Sequence, residues 1–387
     1  MNRFRTALTA LAAAALLTAC GGSDDNKVDF QSVVSFGDSL SDAGTYKVGT
    51  IAQLGGGKFT VNGGDDGTWT ERLAAALGTP AQCAARTGLL PNAPGITGAA
   101  VQDIAACTNY AEGSSRVTFE GSGPNGVALQ TAFGEQNLGF MADSINNQFN
   151  RHLAKVNGAF AGNELVTVNG GGNDLFMQLG ALGAANGGGA AAVATARVAG
   201  WPQSVIDTVA GGGDAAVNAA ASAAVTAMGQ AGTELAGYIR TLVVAKGARQ
   251  VVVRNLGNVN LTPFGRTLDA GTQGLITNMT TAFDNSLKDG LGGTAGVIIF
   301  DDYAQTGQIA ADPAMGGYSN ISAVACGPNA FSAPASAPGS SIVCNASNLV
   351  AGDTSKYAFA DSVHPTPFAS QQTANIVLDM MHAAGWR

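Results

Sequence analysis

A serine at the end of an apolar segment is the first residue whose position suggests chemistry. Residues 28–36 are mostly apolar and predict a buried strand, and Gly37-Asp38-Ser39 then interrupts the pattern as a turn. Open α/β sheets bind ligands in the crevice beyond the carboxyl ends of their parallel strands. Ser39 is therefore a candidate nucleophile, and the alternative from the residues alone is that Ser39 or Asp38 caps a helix.

Nucleophilic catalysis by serine requires a base, a carboxylate that orients the base, and donors for the oxyanion. Three histidines are available as the base. His152 lies beside the apolar stripe of a predicted helix and His382 lies off the stripe of the last helix, so both are predicted to be solvated or partly buried structural residues. His364 follows Asp361 by three residues, in a segment where prolines discourage a helix. From the residues alone, Asp361 can instead cap the helix that follows.

The elements that must position these residues are apolar strands alternating with helical patterns. Strands are predicted at 28–36, 108–113, 164–168, 250–253 and 297–300. Apolar residues at helical spacing predict helices over 71–77, 137–160, 235–242, 276–287 and 376–381. This alternation predicts an α/β fold, in which right-handed crossovers connect a central parallel sheet covered by helices on both faces.

One long segment has an unusual composition. Residues 179–237 are rich in alanine and glycine and contain Trp201 as their only aromatic residue. Two glycine triplets, at 187–189 and 211–213, interrupt it. The composition predicts weak helices joined by flexible glycine runs, in a surface insert or a lid.

The amino terminus predicts export. Arg3 and Arg5 precede an apolar run over residues 6–17, which has the length of a signal-peptide core and is too short to span a bilayer. The segment ending at Cys20, Leu-Thr-Ala-Cys, resembles a bacterial lipobox, where the signal peptide is cut before a lipidated cysteine; the alternative is an ordinary cleaved signal. We expect a signal peptide at 1–19, a lipidated tether at 20–27 and a single domain at 28–387. The expected location is the outer membrane, or otherwise the periplasm or the exterior.

With Cys20 assigned to lipid, four cysteines remain. In an oxidising compartment they can form two bridges, with three possible pairings. Neighbours in sequence pair most simply as Cys83 with Cys107 and Cys326 with Cys344. Zinc is the alternative, but the sequence shows no C-x-x-C spacing to support it.

The charge of the chain argues against one class of partner. Loss of residues 1–19 removes two arginines and leaves 17 basic and 27 acidic residues, a formal charge of −10. The sequence contains no basic cluster. Nucleic-acid binding is therefore not expected.

Four short blocks of the sequence resemble the conserved motifs of one enzyme family. They occur along the chain in the same order as in that family. Residues 36–42, Phe-Gly-Asp-Ser-Leu-Ser-Asp, resemble the extended signature of the GDSL esterases and lipases, also called SGNH hydrolases. Residues 109–113, Asn-Tyr-Ala-Glu-Gly, resemble the family's glycine block, although Ser-Ser follows where the family often has Gly-Ala. Residues 171–174, Gly-Gly-Asn-Asp, match its G-x-N-D block, and Asp361 with His364 match its D-x-x-H block.

The resemblance implies a role for each matched residue. Ser39 would be the nucleophile, His364 the general base and then the acid, and Asp361 the residue that orients His364. The oxyanion donors would be the amide of Ser39, the side chain of Asn173, and either Gly113 or the backbone of Ser114. The implied fold is a flavodoxin-like three-layer α/β/α sandwich, and no metal or organic cofactor is expected.

The implied activity is that of a serine esterase or lipase. A lipid on Cys20 would hold the site near membrane lipids, which favours acyl-lipid, lysophospholipid or short fatty-acyl esters as substrates. The alternatives are an O-acetyl-carbohydrate esterase and, from another class, a non-catalytic surface lipoprotein that binds through the same fold. The sequence leaves the oligomeric state open.

Overall fold

A computed structural model describes residues 28–90, 95–118, 141–332 and 334–387. The predicted signal peptide, Cys20 and the tether therefore lie outside the described residues. Within the described ranges, no helix combines the length and the apolarity needed to cross a bilayer.

The described residues form eight strands and ten α-helices. The strands are β1 (Ser32–Phe36), β2 (Arg86–Leu89), β3 (Ala99–Asp103), β4 (Glu164–Asn169), β5 (Gln250–Arg254), β6 (Val297–Phe300), β7 (Asn320–Val324) and β8 (Tyr357–Phe359). The helices are α1 (Gly49–Gln53), α2 (Trp69–Leu77), α3 (Ile145–Lys155), α4 (Gly172–Ala185), α5 (Gly189–Val198), α6 (Gln203–Ala210), α7 (Gly213–Tyr238), α8 (Ala270–Leu291), α9 (Asp302–Ala311) and α10 (Pro367–Ala383).

Four parallel strands form the central sheet in the order β1-β4-β5-β6. Their apolar runs are long because both faces of the sheet are covered. The segment predicted as a strand at 108–113 instead pairs with the outer edge of β1 through a single bridge, where the Ser35 amide donates to the Thr108 carbonyl at 3.0 Å and the Tyr110 amide donates to the Ser35 carbonyl at 2.7 Å. The predicted α/β fold with a central parallel sheet is confirmed.

Alternate residues of the strands face two separate cores, as the period of two requires. On one face, Phe36, Val168 and Val253 pack with residues of α3, α7 and α8. On the other face, Val33, Leu165 and Val252 pack with residues of α2 and α10. The predicted helix at 137–160 is shorter than expected, because Ser144 caps it and it begins at Ile145. Residues 137–140 of that prediction lie outside the described residues.

The alanine-rich segment contributes to the larger of these cores. In α7 the buried face is made of small side chains, including Ala216, Ala220 and Ala224, which belong to the same apolar cluster as the sheet. The glycine triplets are helix boundaries: Gly188 and Gly212 precede α5 and α7, and a Cβ at position 188 would lie 2.7 Å from the Gly212 amide nitrogen. Glycine at 188 therefore lets two chain segments approach closely. The composition predicted weak helices with flexible links. The structure instead shows a packed layer of helices.

Both disulfides have the pairing predicted from neighbouring cysteines. Cys83 is bonded to Cys107, and Cys326 is bonded to Cys344. The first bridge lies next to the segment that pairs with β1, since the Asn109 amide donates to the Cys83 carbonyl. The second closes the loop that carries Ser341. Each closed loop constrains the unfolded chain, by about 3 kcal/mol in the loop-entropy model.

His152 is more buried than the sequence predicted, with only 2% of its surface exposed. Its ring lies on α3 against the aromatic rings of Phe36, Tyr110 and Phe160. Neither ring nitrogen has a hydrogen-bond partner among the described residues. Burial, with a smaller contribution from Lys155, lowers the pKa of His152 to about 4. The imidazole is therefore neutral in the folded protein at neutral pH.

Substitution of His152 by leucine is expected to make the fold less sensitive to acid. The unfolded chain binds a proton at this histidine near pH 6.5, whereas the folded protein binds it only near pH 4, so wild type loses stability as the pH falls through that window. The loss from this group alone is about 3 kcal/mol. Urea unfolding of wild type and His152→Leu at pH 7, 5.5 and 4 measures it. Equal pH slopes for the two proteins would contradict the prediction.

Candidate active site

The turn after β1 is held in one conformation by buried polar contacts. Gly37 has a φ of +153°, and a Cβ there would lie 2.2 Å from the Asn169 Oδ1 atom, so the position requires glycine. The Oδ1 atom of Asp38 accepts from the Leu40 amide at 3.1 Å and from Asn169 Nδ2 at 2.6 Å. The Ser41 hydroxyl donates to Asn169 Oδ1. Asn169 at the end of β4 thereby fixes the turn that presents Ser39.

The structure brings together the three residues that the sequence singled out as nucleophile, base and acid. Nε2 of His364 lies 2.9 Å from the Ser39 Oγ atom. Nδ1 of the same ring lies 2.8 Å and 3.0 Å from the two carboxylate oxygens of Asp361. Thr366, and not Asp361, caps the following helix α10. The capping alternative for Asp361 is therefore excluded.

Asp361 is a buried carboxylate surrounded by donors. Its oxygens accept from the amides of Ser341 at 2.9 Å, Val363 at 3.0 Å and His364 at 2.8 Å, in addition to the imidazole. Burial on its own would raise the pKa of Asp361, but His364 and these hydrogen bonds hold it well below its usual value. The carboxylate is therefore charged and can hold the proton of His364 on Nδ1. That tautomer leaves Nε2 free to accept the Ser39 proton.

Gly113 does not supply its amide to this site. The Gly113 amide donates to the Asp42 Oδ2 atom at 2.9 Å, so the first of the two alternatives for the third oxyanion donor is wrong. Ser114, the next residue, lines the cleft in front of Ser39 with a φ of +73°. A left-handed conformation costs a non-glycine residue about 1 to 2 kcal/mol. The loop therefore carries backbone strain at a residue that lines the cleft.

Asn173 also lies at the cleft, at the start of α4. Its Nδ2 atom donates to the Ser115 carbonyl at 3.0 Å, which ties it to the loop that carries Ser114. An asparagine amide has two hydrogens, so a second donor remains available for an oxyanion. Asn173 and Ser114 therefore line the same cleft as Ser39, and their role as oxyanion donors stays a prediction.

Asp42 is a positioning residue whose role the sequence analysis did not identify. It is fully buried and accepts from the amides of Gly44 at 2.8 Å, Thr45 at 2.7 Å and Gly113 at 2.9 Å. Burial raises the pKa of Asp42 to about 6 despite these hydrogen bonds. By joining the nucleophile turn to the loop before Ser114, Asp42 fixes the distance between two parts of the site. The sequence did offer one indication of this role, because Asp42 is the last residue of the extended signature at 36–42.

A cleft opens directly from Ser39 and His364. It encloses about 1410 Å³ of space, part of it open solvent. Much of its wall is apolar, and that part includes Leu40, Phe176, Leu256, Ile309, Ile321 and Ile376. A cleft of this kind accommodates a hydrocarbon chain, because burial of apolar surface favours its binding.

The family model for the GDSL-like lipase/acylhydrolase family matches the chain over residues 33–377. The chain belongs to the GDSL-like lipase/acylhydrolase family. As a GDSL hydrolase it is a carboxylic ester hydrolase, and the matched range includes all four blocks from residue 36 to residue 364. None of the curated proteins compared with this GDSL hydrolase matches it.

Proposed function

We propose that the protein hydrolyses fatty-acyl esters through an acyl-enzyme on Ser39. The observation that supports this most directly is the 2.9 Å separation between the Ser39 Oγ and His364 Nε2 atoms, with Asp361 on the opposite side of the ring. This is hydrogen-bond distance for direct proton transfer. The apolar wall of the cleft supports an acyl chain as the bound group.

In the proposed reaction, Ser39 Oγ attacks the ester carbonyl carbon as its proton moves to His364 Nε2. The oxyanion receives hydrogen bonds from the amides of Ser39 and Ser114 and from the Asn173 side chain. The tetrahedral intermediate then collapses, and the leaving alkoxide takes the proton from His364. Water repeats the sequence on the acyl-enzyme, with His364 first accepting and then returning a proton, and releases the acid.

The test combines active-site labelling with a series of substrates. A p-nitrophenyl alkylphosphonate is expected to label wild type once and Ser39→Ala not at all, as measured by intact mass. Hydrolysis of p-nitrophenyl esters from acetyl to palmitoyl is expected to extend to chains longer than acetyl, because the cleft is largely apolar.

The possible results separate the alternatives. Hydrolysis restricted to acetyl esters would favour the O-acetyl-carbohydrate esterase. Equal labelling of both proteins, or no Ser39-dependent hydrolysis at any chain length, would contradict the proposal and favour a binding protein.

A further inference from the structure

The cleft contains a buried ion pair outside the group formed by Ser39, His364 and Asp361. Arg254, the last residue of β5, donates from both Nε and Nη2 to the Asp302 Oδ2 atom, at 2.9 Å and 2.7 Å. Both residues line the cleft, and Arg254 is only 8% exposed. The Arg254 guanidinium carbon lies 6.0 Å from the centre of the Trp69 ring and 5.9 Å from that of Phe300. These contacts fix the guanidinium in place.

Several donors beside this pair are unused. The Nη1 atom of Arg254 and the hydroxyl of Tyr318 make no hydrogen bond with any described residue, and the same holds for the side chains of Gln305 and Gln372. All four residues line the cleft. In ligand pockets, a few converging polar groups in an apolar wall fix the orientation of the ligand.

Tyr318 is suited to donate. Burial, and then the charge of Asp302, raise its pKa, while Arg254 acts in the opposite direction. The phenol is therefore protonated at neutral pH. Its hydroxyl can give a hydrogen bond to an oxygen of the ligand.

The charges favour a neutral ligand oxygen over an anion. Asp302 balances the charge of Arg254, so an anion gains little net attraction and meets the Asp302 carboxylate. A neutral carbonyl avoids that repulsion and still satisfies the free N–H and O–H donors.

Arg254 and Ser39 lie at the ends of different strands of the central sheet. Arg254 pairs with Asn169 across β4 and β5, and Asn169 contacts the turn at Gly37. Strands in a sheet are about 4.8 Å apart, so the backbone of Arg254 is about two spacings, or roughly 10 Å, from that turn. The guanidinium therefore comes from a different strand than the one that leads into the Ser39 turn.

We propose that Arg254 and Tyr318 form a second polar subsite, which binds a neutral carbonyl oxygen of the substrate other than that of the scissile ester. The preferred substrates are then esters that carry a second carbonyl group, such as diesters and oligoesters. The subsite rests on the proposed hydrolase function and specifies its substrate class.

The test compares matched substrates that differ in one carbonyl. In the acyl arm, p-nitrophenyl octanoate is compared with derivatives that carry a ketone at carbon 5, 6 or 7. In the alcohol arm, octyl acetate is compared with acetates of the corresponding keto-octanols. The full-length protein is used, and the readout is the ratio of kcat/KM for the keto ester to that for the alkyl ester, after subtraction of the rate with Ser39→Ala.

Wild type is expected to prefer the best keto ester of one arm by about tenfold, as a hydrogen bond to a charged donor implies. Tyr318→Phe is expected to lower that ratio by about fivefold. A double variant, Arg254→Met with Asp302→Leu, removes the pair without leaving one charge buried alone, and is expected to bring the ratio close to one. Tyr303→Phe, which removes a phenol on α9 that does not line the cleft, serves as the matched control and should keep the wild-type ratio.

The outcomes separate the subsite from the hydrolase function. Ser39-dependent hydrolysis with a ratio near one in both arms would overturn the subsite and leave ester hydrolysis standing. A wild-type preference that Tyr318→Phe leaves unchanged would overturn it as well, whether or not the double variant folds. Absence of Ser39-dependent hydrolysis of every ester would overturn both proposals.

Discussion

Replacement of His364 by alanine is expected to lower kcat/KM for a p-nitrophenyl ester by about 10⁶-fold while the protein stays folded. The Ser39 hydroxyl has His364 Nε2 as its sole hydrogen-bond partner among the described residues, so no other base is in place. Asp361 keeps three backbone N–H donors after the imidazole is removed, so the carboxylate is not left buried and unsatisfied. Steady-state kinetics and a thermal melt measure the two effects.

The matched control is His382→Ala, because His382 is exposed in the last turn of α10, away from the cleft. It should keep wild-type activity. Added imidazole is expected to restore part of the activity of His364→Ala, since the substitution leaves a space beside Ser39 for a free base. A loss below tenfold in a folded His364→Ala protein would remove His364 from the mechanism.

Much of the fold and of the site was predictable from local patterns. The strands β4, β5 and β6 are apolar runs bounded by turns, and the structure places them within one or two residues of the prediction. Ser39 and His364 are 325 residues apart in sequence, yet each lies in a short block whose composition already limits its conformation. Because the carboxyl ends of parallel strands meet at one edge, blocks at strand ends come together.

The direction of a backbone amide was not predictable in this way. Whether Gly113 or Ser114 offers its N–H to the site depends on the φ of Ser114 and on the Asp42 carboxylate, which lies 71 residues before Gly113. Neither the φ of Ser114 nor the contact with Asp42 can be predicted from the residues that surround Gly113 in sequence. The contact with Asp42 occupies the Gly113 amide, and donation by the Ser114 amide stays a prediction.

Burial was the second property that local patterns misjudged. Alanine has little hydrophobic contrast, so residues 179–237 gave a weak helical signal, although α7 buries a continuous row of alanines. His152 was predicted beside an apolar stripe, but the rings of Phe36, Tyr110 and Phe160 pack against it and leave 2% of its surface exposed. In both places at least one packing partner comes from a distant part of the chain.

Substitution of Asp361 by asparagine is expected to lower kcat by about 10⁴-fold, although the side chain keeps its size and shape. Asp361 accepts hydrogen bonds through both oxygens, from Ser341 on one side and from Val363 and His364 on the other. An asparagine must turn its NH₂ group toward one set of donors. Either orientation breaks the arrangement that holds the His364 proton on Nδ1, and the other tautomer cannot accept the Ser39 proton.

The matched control is Asp379→Asn on the exposed face of α10, which should change neither kcat nor stability by a measurable amount. A decrease of less than tenfold in a folded Asp361→Asn protein would show that the carboxylate does not set the tautomer of His364.

The same substitution is expected to have a stability signature that depends on pH. Because the folded-state pKa of Asp361 lies below its unfolded value, the carboxylate stabilises wild type above about pH 4, and this contribution is lost as the pH falls through the folded-state pKa. The asparagine side chain of the variant does not titrate. The difference in unfolding free energy between wild type and Asp361→Asn, measured with urea, should therefore be largest near pH 7 and shrink below pH 4. A difference independent of pH would mean that packing, and not charge, makes Asp361 important to the fold.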